Sequence, residues 1–242
     1  LMLLILKHIK HQLSVKRSDF SLLNNKADWL KLLKLVAPMM FGFGIWSLGS
    51  FCYQLIYGRM GINELAVISM LLPVEGIIIS VFFGIASACS ILVGQHLGAK
   101  KLTEAWNVAK TFSLISPVIA IIIGALLLLA KDIILLPYQG ASLQSLELAS
   151  QVFVVIALLS WMKVINMTLA LGVLRAGGDN RFCLMTDAIA MWVVALPLTF
   201  LAAFYWELAF VYVVIISYSE EFIKAFMFGV RVKNKRWMNN LT

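Results

Sequence analysis

The chain has 242 residues, 62% hydrophobic and 13% charged, with 20 Lys and Arg against 12 Asp and Glu for a net charge of +8. A soluble domain is about 45–50% apolar and about 25% charged, so this composition excludes an ordinary water-soluble globule, and the uncovered apolar surface must face a bilayer. The basic residues lie between apolar segments, which excludes a nucleic-acid partner and makes the charge a matter of membrane topology.

The apolar opening, residues 1–6, is too short for a signal-peptide core and precedes its basic residues instead of following them. It reads as the end of an earlier helix, and residues 1–31 as a basic cytoplasmic segment. A spanning helix needs about 20 mainly apolar residues, because each adds about 1.5 Å across a hydrocarbon core about 30 Å thick. Six segments meet that need, near 32–57, 65–97, 104–130, 146–174, 182–204 and 207–230. The expected fold is an all-α integral membrane bundle of six transmembrane helices over residues 32–230, followed by a basic cytoplasmic tail, 231–242. Between the third and fourth segments, residues 131–145 contain Pro137 and Gly140 and are apolar too briefly to span. They read as a surface loop or interfacial turn. The second and fourth segments exceed one span, which implies tilt, a kink or protrusion into water. Pro38, Pro73, Pro117 and Pro197 each remove a backbone hydrogen bond inside a segment and invite a bend.

Lys and Arg mark cytoplasmic loops. They collect in the amino-terminal stretch, after the second segment (Lys100, Lys101, Lys110), after the fourth (Arg175, Arg181) and at the end (Lys224, Arg231, Lys233, Lys235, Arg236), while the opposite side has Arg59 and Lys131. Both termini are expected in the cytoplasm of a multi-pass protein of the cell inner (plasma) membrane. Cys52, Cys89 and Cys183 are isolated, with no metal-ligand spacing, and read as packing residues.

Ionisable groups within a bilayer cost at least about 2.5–3.5 kcal/mol near a helix centre, so they face a partner, the bundle interior or a water-filled path. Glu75, Lys163, Asp187, Glu220 and Glu221 qualify. Counting rise along each helix puts Glu75 nearer the outer surface and the other four in the cytoplasmic half, where Lys163 and Asp187 form either a salt bridge or part of a transport site. Glu220 and Lys224, four apart with Glu first, read as a structural helical pair, with Lys224 near enough to the surface to snorkel. Glu75 has no evident partner in the sequence and is open to protonation, a cation or an ion pair. The small residues from Gly84 to Ser90, with Gly94, permit close approach of a neighbouring backbone.

The stretch Gly172-Val173-Leu174-Arg175-Ala176-Gly177-Gly178-Asp179-Asn180-Arg181-Phe182, followed by Asp187, Trp192 and Pro197-Leu198, resembles the multidrug and toxic compound extrusion (MATE) transporters. Tyr57-Gly58-Arg59-Met60-Gly61, the Phe83–Ala99 stretch, the Pro38…Trp46-Ser47-Leu48-Gly49 pattern and the Glu220-Glu221…Lys224…Trp237 ending extend the resemblance to about residues 32–239. Complete members have twelve helices in two pseudo-symmetric halves, and the resemblance implies that this chain is the carboxy-terminal half. In the glycine-rich turn, Gly177-Gly178 allow a tight reversal, Asp179 can cap the next helix, and Arg175 and Arg181 reach lipid headgroups. Where many bacterial relatives carry an Asn-Glu pair in the first helix of this half, the chain has Gly42-Phe43. Coupling is then left to Asp187, Glu75 or the other half.

The function the resemblance implies is export of drugs or amphipathic organic cations by antiport with protons or sodium ions, without any other cofactor. The partners are membrane lipid, the transported cation, and a first six-helix half or a second copy of this one. Trp192 and Tyr53 are the aromatic candidates for flat cations, with a carboxylate as counter-charge. A flippase for a lipid-linked saccharide would line its cavity with several cations, which Lys163 alone matches poorly; a non-transporting membrane scaffold is the other alternative. No paired catalytic carboxylates, Ser/His constellation or metal-spaced His residues point to an enzyme.

Overall fold

The computed structural model describes residues 26–238; the expectations for residues 1–25 and 239–242, and for the Pro38 side chain, lie outside the described residues. The chain divides into two compact units, residues 1–45 and 46–242. The described part of the first is helical. The packing and the sites that follow lie in the second.

Helix α1 is Lys26–Met60, α2 Ile62–Gly98 and α3 Leu102–Leu129. A short α4, Lys131–Leu135, and a 3-10 turn, Leu136–Tyr138, lie between the third and fourth segments, where a loop or turn was expected. Helix α5, Leu143–Met167, runs on into a π-helical stretch, Thr168–Leu174. Helix α6, Asn180–Ala188, passes through a second π-helical stretch, Ile189–Ala195, into α7, Leu196–Phe204. Then come α8, Phe210–Ser217, and α9, Ser219–Lys233. No strand occurs among the described residues.

Four of these units are long and apolar enough to cross a membrane: Ile62–Gly98, Leu102–Leu129, Leu143–Leu174 and Asn180–Phe204. The first expected segment lies within α1. The sixth, expected as one helix over 207–230, is instead two helices broken at Tyr218. The cause is local. The Ser217 hydroxyl donates back to the Val214 carbonyl at 2.7 Å, and the Tyr218 N–H turns to Ile215 at 3.1 Å, so side chain and backbone both tighten the last turn of α8.

Apolar residues surround α2, yet its buried positions form one stripe, Val67, Leu71, Ile78, Phe82, Ala86, Cys89, Val93 and Leu97, at helical spacing. Exposed Ile77, Val81 and Phe83 on the remaining surface suit lipid or another apolar partner. The buried stripe of α3 is made wholly of small residues: Ala105, Ala109, Ser116, Ala120 and Gly124. Here α3 and α5 pack so closely that a side chain at Gly124 would strike the Ala157 carbonyl, and Ser116 and Thr168 hydroxyls meet at 2.9 Å. The small residues of α2 act more narrowly than the sequence suggests. Ala86 and Cys89 receive Gly172, whereas nothing packs within reach of Gly84 or Gly94.

The helix ends gather into two sets. At one, Asn63 bonds to Gln144 (3.0 Å) and Ser145 (2.9 Å), with Ser142 capping α5. At the other, the Trp237 carbonyl lies against Gly177, Gly178 takes a φ of 84°, and Lys235 sits 4.9 Å from the centre of the Trp106 ring. A side chain at residue 177 would collide with that carbonyl, and residue 178 lies where only glycine is unstrained. Asp179 does not cap α6 with its side chain. Its carboxylate instead holds Arg231 at 2.5 and 3.2 Å, a two-pronged ion pair that ties the turn to α9.

Candidate functional site

The charges inside the bundle form two groups. In the first, Lys224 of α9 pairs with Glu220 one turn earlier and with Asp187 of α6 at 3.5 Å. Asp187 also meets Arg175 at 3.4 Å, and the Tyr53 hydroxyl of α1 donates to Glu220 at 3.1 Å. Glu220 and Lys224 are 6% and 7% exposed, so the pair expected from sequence is present but Lys224 does not snorkel. Two carboxylates hold its ammonium inside the bundle. Beside this knot, Asn166 donates to both the Glu221 carboxylate (2.7 Å) and its backbone carbonyl (2.8 Å).

In the second group Lys163 of α5 pairs with Glu75 of α2, and its ammonium lies 4.8 Å from the centre of the Tyr218 ring. This corrects the expected Lys163–Asp187 grouping and gives Glu75 a partner. Helical rise misled because it counts backbone alone. The hydrogen-bonded ends at Asn63 and Ser145 set α2 and α5 level, and from there Glu75 lies twelve residues down and Lys163 eighteen. That offset is roughly 9 Å, which a lysine stem leaning toward its helix N-terminus largely spans. Asp187 meanwhile faces the cations of the neighbouring turn and of α9.

Three features escaped the sequence reading. Arg175 pairs with Asp187 across the turn. Asn166 gave one signal, an amide three residues beyond Lys163 in an apolar helix. The break at Tyr218 puts Glu220 and Glu221 in the first turn of a new helix, where the helix dipole favours carboxylates. Among the described residues, buried atoms without hydrogen-bond partners cluster in sequence near these groups: Asn166 Oδ1, Thr186 Oγ1, the Tyr218 hydroxyl and Ser219 Oγ. Each is a polar atom that a water molecule can satisfy.

The π-helical stretches have local causes. Before Arg175, whose N–H reaches five residues back to Ala170 at 3.0 Å, the widened turn seats Gly172 against Cys89. The other precedes Pro197, whose ring would clash with a carbonyl in an unbroken α-helix. Trp192 lies on this second stretch and is 39% exposed. Tyr53 itself stacks near Tyr57, with ring centres 6.2 Å apart. Among the described residues no three His, Cys, Asp or Glu side chains group to hold a metal ion.

Apolar helices enclosing paired charges beside a broken helix define a polytopic membrane protein with an internal polar site, an arrangement found in secondary transporters. The MatE family model matches residues 38–201, and the chain belongs to that family. Multidrug and toxin extrusion protein 1 of Oryctolagus cuniculus is 26% identical over 175 residues, covering 71% of this chain and 30% of that protein. The probable multidrug resistance protein YoeA of Bacillus subtilis is 30% identical over 102 residues, 40% of this chain and 22% of that one. The chain thus spans about a third or less of the length of these relatives. In fold it is similar to an outward-facing MATE transporter of the MOP superfamily, with a TM-score of 0.76 and 21% identity over 87% of this chain and 46% of that one.

Proposed function

We propose that this chain forms one half, the carboxy-terminal one, of a secondary transporter that exports amphipathic organic cations by antiport with protons or sodium ions. The observation that carries the reading is the set of paired charges at the α8–α9 break. Four carboxylates, Glu75, Asp187, Glu220 and Glu221, stand with three cations, Lys163, Arg175 and Lys224. Glu221 accepts from the Asn166 amide and shares the field of Lys224 with Glu220 and Asp187, and the carboxylate in excess over the cations is a place for a proton or a small cation to bind and leave. Coverage of just under half of the matched transporter supports the half-length reading.

In this reading residues 32–230 are the transport domain, between a basic segment (1–31) and a basic tail (231–242), and both termini lie in the cytoplasm of an inner (plasma) membrane protein. The pathway runs between this half and a first half or a second copy, with Trp192 and Tyr53 as aromatic contacts. The work is binding and rocking between two open states, with no covalent step and no cofactor beyond the coupling ion. Coexpression with a matching first half should give gradient-driven efflux of an organic cation that neither half gives alone. Ion-driven efflux by the purified, monomeric chain would overturn the half-transporter reading.

A further inference from the structure

A carboxylate beside the face of an aromatic ring is the arrangement that binds an organic cation away from water. Glu75 and Tyr218 make that arrangement, and Lys163 already fills it: its ammonium pairs with the Glu75 carboxylate and lies 4.8 Å from the centre of the Tyr218 ring. The Lys163 and Glu75 side chains remain 32% and 20% accessible, against 9% and 8% for Lys224 and Glu220. A third group can therefore reach Glu75 but not Glu220. Tyr218 is otherwise buried at the helix break, its hydroxyl has no hydrogen-bond partner among the described residues, and it meets the ammonium with the face of its ring.

We propose that Lys163 is a tethered occupant of an organic-cation site formed by Glu75 and Tyr218, and that a ligand enters by displacing it. The lysine then sets specificity. A ligand must outcompete an ammonium held at very high local concentration by its own helix, which favours large delocalised cations that gain more from the ring and the apolar surroundings than a lysine does. This rests on the reading above for the class of ligand, but concerns binding by this chain alone.

The probe is tetraphenylphosphonium, and the sample is the purified full chain in lipid nanodiscs. Lys163→Met should bind it at least ~10-fold more tightly than the unaltered chain, because the tethered competitor is gone. Adding Glu75→Gln to Lys163→Met should remove that gain. A folded Lys163→Met variant with unchanged or weaker binding overturns the proposal. Should that variant fail to fold, the unaltered chain still decides. Saturating tetraphenylphosphonium should raise acylation of Lys163 by an amine-reactive ester, read by mass spectrometry, and unchanged or reduced acylation overturns the proposal. Tightened binding without efflux in the two-half protein would sink the transport reading and leave this site standing; efflux with no Lys163 effect would do the reverse.

Discussion

Two lysines lie inside this bundle, and they are held in opposite ways. Lys224 is sealed between Glu220 and Asp187, with Tyr53 and Arg175 completing the two carboxylates. Lys163 has one carboxylate and one ring, and a third of its side chain is open. A sealed pair has already lost its hydration, so deleting one member strands the other; an accessible pair can exchange its partner for water or a ligand. The first group acts as a fastener between α1, α6 and α9. The second is, on the proposal above, the place where a charge can change hands.

The contrast is broken most directly at Lys224. Lys224→Met leaves Glu220 without its cation and Asp187 with Arg175 alone, and should destabilise the chain by on the order of 3–5 kcal/mol. The check is the thermal midpoint in detergent, followed by size exclusion; a midpoint equal to that of the unaltered chain would mean the knot is not a fastener. Tyr53→Phe removes one hydrogen bond to a carboxylate that keeps Lys224, and should cost about 1.5 kcal/mol, read by the same melt. The smallest effect is expected at the open pair. Lys163→Met should cost less than Lys224→Met, since the pair it breaks is the more accessible of the two. Equal losses at Lys224 and Lys163 would erase the distinction between fastener and exchange site.

Much of this arrangement was legible in the sequence. Twenty-residue apolar stretches located the helices, and the Glu220–Lys224 spacing located their pair, because both follow from helical rise alone. The glycine-rich turn announced its own reversal at Gly178. What rise does not supply is rotation and side-chain reach, so Lys163 was matched with Asp187 at its own depth instead of with Glu75 higher on α2. The break at Tyr218 was hidden because the apolar run that ends at Ile216 and the apolar residues from Phe222 onward read together as one span; Ser217, Ser219 and the Glu220–Glu221 pair between them hinted at it. The small-residue stripe of α3 was missed for another reason. Ala105, Ala109, Ser116, Ala120 and Gly124 are too far apart to stand out in a run, although their spacing is helical.

Trp237 has a consequence for the order in which the molecule is made. Its carbonyl closes over Gly177 and Arg231 grips Asp179, yet Arg231 lies near the end of α9 and Trp237 beyond it, so both leave the ribosome only after α6, α7 and α8 have followed the turn they hold. During synthesis the turn after α5 must therefore wait with Asp179 unpaired while later helices enter the bilayer. Its final geometry is a late event of assembly, set from the far end of the chain.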